Sequence, residues 1–329
     1  MTDLESWNVS DSDRGVDSTI EDTEILSSNL AFLNAELQKI ELRRDAQIKE
    51  LAEILLRSER TSLKDNLSDF FSRLLSSDRS TKSTEAICLC TELIQKNVLN
   101  TLIEYPDDSF SAGEPVSPKA ADRVAYLQNR FTDSAFLAFS ATLSKPRAAY
   151  FSSFSDVCEE VYHGLCEFRI LPIENTEDGK LVRFYKLIEK YELKIVAVCD
   201  IPQPNQGTTR YALLRHRHIF AESTLASGKD FSIEISLTPI GKTALSDILS
   251  AAAHCGMYPT RIDSLPGSEE QSGLRCHIVF EHAPDRQAPL SLLPEKAVAA
   301  FLLYLSLSLP EYTQIGIYQK INPSTKSFS

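Results

Sequence analysis

Leu171-Pro172-Ile173-Glu174-Asn175-Thr176 closes an apolar strand, Phe168 to Leu171, with a carboxylate, an amide and a hydroxyl. After a short interval Thr208-Thr209-Arg210-Tyr211 sets hydroxyls and a guanidinium at the start of another apolar strand. Two strand ends furnished in this way suit a site that grips a small acid. The residues alone leave a plainer reading open. Asn and Thr favour a strand-to-helix cap, and Thr-Arg-Tyr suits a strand with an exposed arginine by β-propensity.

Outward from these phrases, strands and helices alternate. Strands are expected at 124–127, 148–151, 168–173, 193–199 and 211–215, with helices at 134–143, 154–165 and 180–191. That order predicts an α/β layer with a largely parallel sheet over 122–220. Residues 231–319 give strand 231–237, helix 242–255, strands 258–264 and 275–281, helix 295–307 and strand 314–318. This βαββαβ order predicts a ferredoxin-like unit over 230–321.

The N-terminal part follows a different period. Leu26, Leu30, Leu33, Leu37, Ile40, Ile48, Leu51 and Leu55 recur at three- and four-residue steps, interrupted by Arg44. They predict one long amphipathic helix over 22–60, suited to a bundle or coiled coil. Helices at 63–75 and 84–105 follow, so 22–105 reads as an all-helical region. Pro106, Gly113, Pro115 and Pro118 mark 106–121 as a linker. Residues 1–21, acidic and serine-rich, are expected to be a disordered tail.

Bulk properties narrow the function. The 329 residues suggest two or three domains, and 43% hydrophobic with 24% charged residues is ordinary globular composition. A net charge of −12 argues against nucleic acid or an anionic membrane as partner. The start lacks the apolar core of a signal peptide, and the apolar run 297–309 is too short to cross a bilayer. A cytoplasmic protein is expected. Seven cysteines without a C-x-x-C pair read as buried thiols, with no metal site. With 11 glycines in the chain, a glycine-rich nucleotide cradle is not expected, and no cofactor is implied.

Several stretches together resemble one family. Val124-Ala125-Tyr126-Leu127 followed by Phe131-Thr132, then Phe154-Ser155-Asp156-Val157 with Gly164, then the 171–176 phrase and Thr209-Arg210-Tyr211, are similar to prephenate dehydratases. Residues 230–321, ending Ile315-Gly316-Ile317-Tyr318, resemble the regulatory ACT domain of that family. Residues 22–105 lie where the bifunctional P-protein carries its chorismate mutase. The resemblance implies three parts, α + α/β + α/β: a helical chorismate mutase-like region, a periplasmic-binding-protein-like lobe and an ACT domain.

It also implies roles. Thr209 would donate to the leaving hydroxyl of prephenate, with Glu174 and Asn175 orienting the site and Arg210 and Thr176 contacting substrate. An L-phenylalanine effector would lie by Ala244, Leu245, Asp263 and Ser264, in a homodimer or higher homo-oligomer. For the mutase, Arg43, Arg44, Lys49, Arg57, Arg60, Lys64 and Arg73 offer cations, and Gln95 and Asn97 offer amides. Charges on solvated helix faces, or a helical dimerisation module, fit the same residues.

The chain departs from the family at one decisive place. Between Thr176 and Thr209 it has room for a single helix and strand, where the family builds a second lobe. The Ser/His-Pro-Gln and Ser-Thr-Ala motifs of that lobe are missing. In the C-terminal part, Thr243-Ala244-Leu245 and Asp263-Ser264-Leu265-Pro266 stand in for Gly-Ala-Leu and Glu-Ser-Arg-Pro. The expectation is a reduced lobe whose pocket has one wall. It would belong to a regulatory or assembly homologue of the phenylalanine branch. The alternative is an active, divergent enzyme with mutase or dehydratase turnover.

Overall fold

The computed structural model describes residues 13–57, 67, 70, 71, 73, 82–96, 123–143, 145–204, 207–216, 231–237, 245–266, 274–282, 294–309 and 312–323. Two compact units divide the chain, Met1–Ile54 and Leu55–Ser329. The first is carried by helix α1 (Asp13–Arg57), a single run of 45 residues. It contains no proline, and beyond Leu30 it is dominated by Ala, Leu, Glu, Gln, Lys and Arg, the strong helix formers. The tail expected to be disordered to residue 21 is therefore helical from Asp13. The helix expected at 63–75 falls largely outside the described residues, and the linker at 106–121 wholly so.

In the second unit, strands expected in two separate domains join into one ten-stranded sheet. The first group is β1 (Arg123–Leu127), β2 (Arg147–Phe151), β3 (Phe168–Asn175), β4 (Gly179–Lys180), β5 (Lys194–Gln203) and β6 (Gly207–Arg215). The second is β7 (Ser232–Leu237), β8 (Met257–Pro266), β9 (Leu274–His282) and β10 (Thr313–Lys320). Their order is β2-β1-β3-β6-β5-β10-β7-β9-β8, with β4 paired to β3. The expectation of a largely parallel sheet needs correction. β1 runs parallel to β2 and β3, but β6 is antiparallel to both β3 and β5. β5 ends at Gln203 and β6 begins at Gly207, a separation far below the length a parallel crossover needs.

The seam between the groups is the parallel pair β5–β10. Gly316 makes it close: a Cβ there would stand 2.5 Å from the Ile195 carbonyl oxygen. Lys194 Nζ donates to Gln314 O at 2.7 Å, and Ile321 N to Val198 O at 2.7 Å, tying the same seam.

Helices cover both faces. Helix α3 (Arg130–Ser140) packs Ala135, Ala138 and Phe139 against Val124, Tyr126, Ile170, Tyr211 and Leu213. It starts earlier than the pattern suggested because Asn129 Oδ1 accepts from Phe131 N and Thr132 N, while Thr132 Oγ1 accepts from Asn129 N. That is a capping box. On the opposite face lie α4 (Phe154–Tyr162) and α5 (Val182–Lys190). Their Val157, Val161, Phe184 and Ile188 share a core with Leu171, Val198 and Leu214, and with Leu265, Ile315 and Tyr318 from beyond the seam.

The remaining helices are α2 (Lys82–Gln95), α6 (Leu245–His254) and α7 (Pro294–Ser308). Ala297 to Leu305 of α7 are all buried, the mark of a helix enclosed on every side. Helix α2 packs on α7 and α6. Residues expected to complete an N-terminal helical bundle are thus part of the second unit's core.

Candidate functional site

Strand register decides which candidate residues can act together. Glu174 is the cross-strand partner of Arg210, and Asn175 of Thr209. Cross-strand partners share a face of the sheet, and successive residues alternate between faces. Arg210 therefore sides with Ala212 and Leu214 on the α4/α5 face, together with Glu174 and its other neighbour Asp200. Thr209 sides with Tyr211 and Leu213 on the α3 face. The structure places Glu174 and Thr209 on opposite sides of one sheet.

Each polar side chain of the 174–176 phrase already has work. Asn175 Oδ1 accepts from Asp178 N at 2.5 Å and Asn175 Nδ2 donates to Asp178 Oδ2 at 2.8 Å, shaping the β3–β4 turn. Thr176 Oγ1 donates to Thr208 O at 2.9 Å and accepts from Thr208 N at 2.8 Å. Gly207 opposite has φ +66, and a Cβ there would lie 2.8 Å from Thr176 Oγ1. The cap suggested by Asn and Thr thus serves a hairpin turn, not a helix. Thr209 is 6% exposed, and its Oγ1 accepts from Gln203 Nε2 at 2.8 Å.

Glu174 and Arg210 belong to an ion network that sequence reasoning missed. Arg210 donates from Nε and Nη2 to the two oxygens of Asp200 at 2.8 and 3.1 Å, and from Nη1 to Glu174 Oε2 at 3.5 Å. Arg261 of β8 donates from Nη1 to Glu174 Oε1 and from Nε to Asp263 Oδ1. Lys320 reaches Asp200 at 2.7 Å. Deeper in, Lys180 of β4 donates to Glu234 of β7 and stands 3.4 Å from Asp263. Tyr318 donates to the other Glu234 oxygen at 3.1 Å. The carboxylates Glu174, Asp200, Glu234 and Asp263 are matched by the cations Lys180, Arg210, Arg261 and Lys320.

The pairing shows in the titrations. Burial opposes ionisation of Glu234, yet Lys180 and His277 outweigh it and hold the carboxyl at about 2. Burial also opposes Asp200, and the bonds from Arg210 and Lys320 carry it below the ordinary carboxylate range. Hydrogen bonding to Asp200 raises Arg210 despite partial burial. Arg261, which burial alone would lower, is raised by Glu174 and Asp263.

The side of the site expected to stand open is therefore occupied. Strand β8 brings Arg261 against Glu174, whose side chain is 21% exposed. Of the candidate effector residues, Ala244 lies outside the described residues, and Leu245 begins α6 with an exposed side chain. Asp263 is held in the network, while Ser264, its chain neighbour, points to the opposite face as the partner of Cys276. A separate recess lies between α5 and the sheet, lined by Tyr185, Glu189, Ser236, Arg275, His277 and Thr313 among others. Leu265 and Pro266 of the 263–266 stretch line it, whereas Asp263 and Ser264 do not. Of the mutase candidates, Arg60, Lys64 and Asn97 lie outside the described residues, and Gln95 is exposed at the end of α2.

Comparison with known proteins locates a likeness in the same region. Residues 124–203 match the family model of prephenate dehydratase. No curated protein matches the chain. Among solved structures, prephenate dehydratase from Streptococcus mutans shares 25% identity at a TM-score of 0.45, covering 60% of this chain and 98% of that one. GqqA, described as a quorum quenching acylase, shares 18% identity at a TM-score of 0.41 over 60% and 94% of the two chains. Prephenate dehydratase of Arthrobacter aurescens, in complex with L-Phe, shares 14% identity at 0.43 over 60% and 90%.

Proposed function

We propose that this chain is a non-catalytic homologue of prephenate dehydratase, acting as a regulatory or assembly subunit in the L-phenylalanine branch of aromatic amino acid synthesis. One observation carries the reading: Arg210 and Glu174 are bound into a charge-balanced network on one sheet face, while Thr209 lies on the other. Prephenate is a dicarboxylate whose conversion expels carbon dioxide and a ring hydroxyl. Catalysis needs unpaired positive groups for the carboxylates and a donor aimed at the leaving oxygen from the same cavity. Here the cations are neutralised by the protein's own acids.

The arrangement of β1–β3, β5 and β6 supports a single periplasmic-binding-protein-like lobe. The order β10-β7-β9-β8 supports a ferredoxin-like, ACT-like part. Mutase turnover forms no part of the proposal, because α2 is buried against α6 and α7. L-phenylalanine is the effector to try, and a homo-oligomer in the cytoplasm is the working form. The competing reading, an active enzyme yielding phenylpyruvate, carbon dioxide and water, is favoured by the family match over 124–203.

The test is turnover. Purified protein given prephenate is expected to form phenylpyruvate no faster than a Thr209→Ala control. Wild-type activity clearly above that control overturns the proposal. A melting shift with L-phenylalanine and none with L-tyrosine is the expected signature of the regulatory role.

A further inference from the structure

Beneath α5, three neighbouring strands set polar side chains in one row. Thr313 of β10 is the register partner of Ser236 of β7, and Ser236 is that of His277 of β9. Cross-strand partners share a face, and all three line the recess between α5 and the sheet. Ser236 is 2% exposed and His277 5%, so this is an interior wall and not a solvated surface. Buried hydroxyls are ordinarily satisfied. Ser236 Oγ has no hydrogen-bond partner among the described residues. Thr313 Oγ1 accepts from Arg275 Nη2 at 3.0 Å, which leaves its own proton to donate. His277 stands edge-on to Tyr185, and its Nδ1 lies 3.6 Å from Glu234 Oε1. The imidazole thereby separates the recess from the buried ion pairs behind it.

The floor thus offers two hydroxyl donors side by side, and charge selects what they take. Lys186 and Arg275 outnumber the one carboxylate of the lining, Glu189, whose Oε1 already accepts from Arg275 Nη1. One surplus cation suits a monoanion. A phosphate dianion would be repelled by Glu189 and, past His277, by Glu234, while an ammonium would find no unshared carboxylate. Leu265 and Ile315 add apolar walls. The enclosed volume is about 20 Å³, room for the head of a small ligand and not for an aromatic ring.

We propose that the recess binds a short aliphatic carboxylate. Its oxygens accept from Ser236 Oγ and Thr313 Oγ1, and its chain lies against Leu265 and Ile315. The site is separate from the one considered above for L-phenylalanine, since Leu245, Asp263 and Ser264 do not line it. Helix α5 precedes the β5–β10 seam in the chain, and β7, β9 and β10 follow β5 and β6, so such a ligand fastens α5 across the join.

The test is calorimetric titration of the full-length chain with butyrate, 2-aminobutyrate, n-butanol and inorganic phosphate. Butyrate is expected to bind with a Kd of about 1 mM or below, and the other three at least tenfold more weakly. Ser236→Ala should weaken butyrate about tenfold by removing a bond to a charged group. Lys186→Glu, at the exposed rim where folding is not at stake, should weaken it about threefold. Butyrate should also slow hydrogen exchange in α5. A wild type that gives no heat with butyrate holds water alone there, and that result overturns the proposal. So would phosphate or 2-aminobutyrate binding as tightly as butyrate, full affinity in both variants, or protection confined to the start of α6. None of these readouts depends on turnover of prephenate, so this proposal and the non-catalytic role stand or fall separately.

Discussion

Glu174 at the end of β3 is ion-paired to Arg261 of β8, a residue from the far side of the β5–β10 seam. The contact turns a candidate catalytic carboxylate into a fastener between two parts of the sheet. Glu174→Gln keeps the shape and removes the charge, leaving Arg261 to Asp263 and Arg210 to Asp200. The expected cost is about 1–2 kcal/mol of stability, read by urea denaturation, since the pair is partly buried and charge-assisted. An unchanged midpoint would show that the pair contributes nothing to the join.

Lys180 and Glu234 form a buried pair with side chains 3% and 1% exposed. Lys180→Met strands a carboxylate in the core and should cost about 3–5 kcal/mol, whereas Lys180→Met with Glu234→Leu should recover most of it. Thermal melts of the single and double variants separate the two cases. A double variant as unstable as the single one would mean that packing, not charge, holds the site.

Acid should loosen the fold through the same residue. The folded pKa of Glu234 lies near 2, below its ordinary 4.5, so its contribution is complete above pH 4.5 and is lost as pH falls toward 2. The loss is on the order of 3 kcal/mol. Asp200, also depressed, acts in the same direction. Denaturant midpoints measured between pH 5 and pH 2.5 should fall steeply for the wild type and less so for Glu234→Gln.

Arg169 on β3 is fully buried, and its guanidinium nitrogens have no hydrogen-bond partner among the described residues. Burial lowers its pKa to about 10, with the neighbouring Cys158 countering only in part. Arg169→Met replaces a poorly satisfied charge with an apolar chain of similar length. It should leave the protein as stable or more so, by up to about 3 kcal/mol. Calorimetry showing a large loss would mean that the cation is satisfied in a way its neighbours do not reveal.

Gly316→Ala drives a methyl group into the Ile195 carbonyl, backbone against backbone, with no flexible side chain to yield. The expected cost is about 2–3 kcal/mol, seen as a lowered melting temperature. Hydrogen exchange should quicken in β5 and β10 before other strands. Exchange that rises only in distant loops would contradict a tight seam.

The elements were legible where apolar residues alternate or recur. Phe168 to Ile173 and Ile233 to Leu237 announce strands, and the stripe from Leu26 to Ile40 announces a helix. Asn129 with Thr132 could have placed the start of α3, being a capping pair readable at three-residue spacing. The network around Glu174 was not legible, because Arg261 meets it only through the sheet order, which no local pattern specifies. Nor was the β5–β10 pairing, since Gly316 looks like any strand glycine until the opposing carbonyl is known. The one-residue offset that sends Thr209 away from Glu174 depends on the irregular register between Pro172 and Glu174, a tertiary detail.

The shared sheet carries a genetic corollary. A chain stopped ahead of Thr313 would lose the strand beside β5 and bare a row of unpaired amides and carbonyls in the middle of the molecule, an invitation to aggregation. Truncation should therefore destroy the protein as a whole instead of releasing a working front half, and any gene fission that survives would have to fall upstream of Arg123.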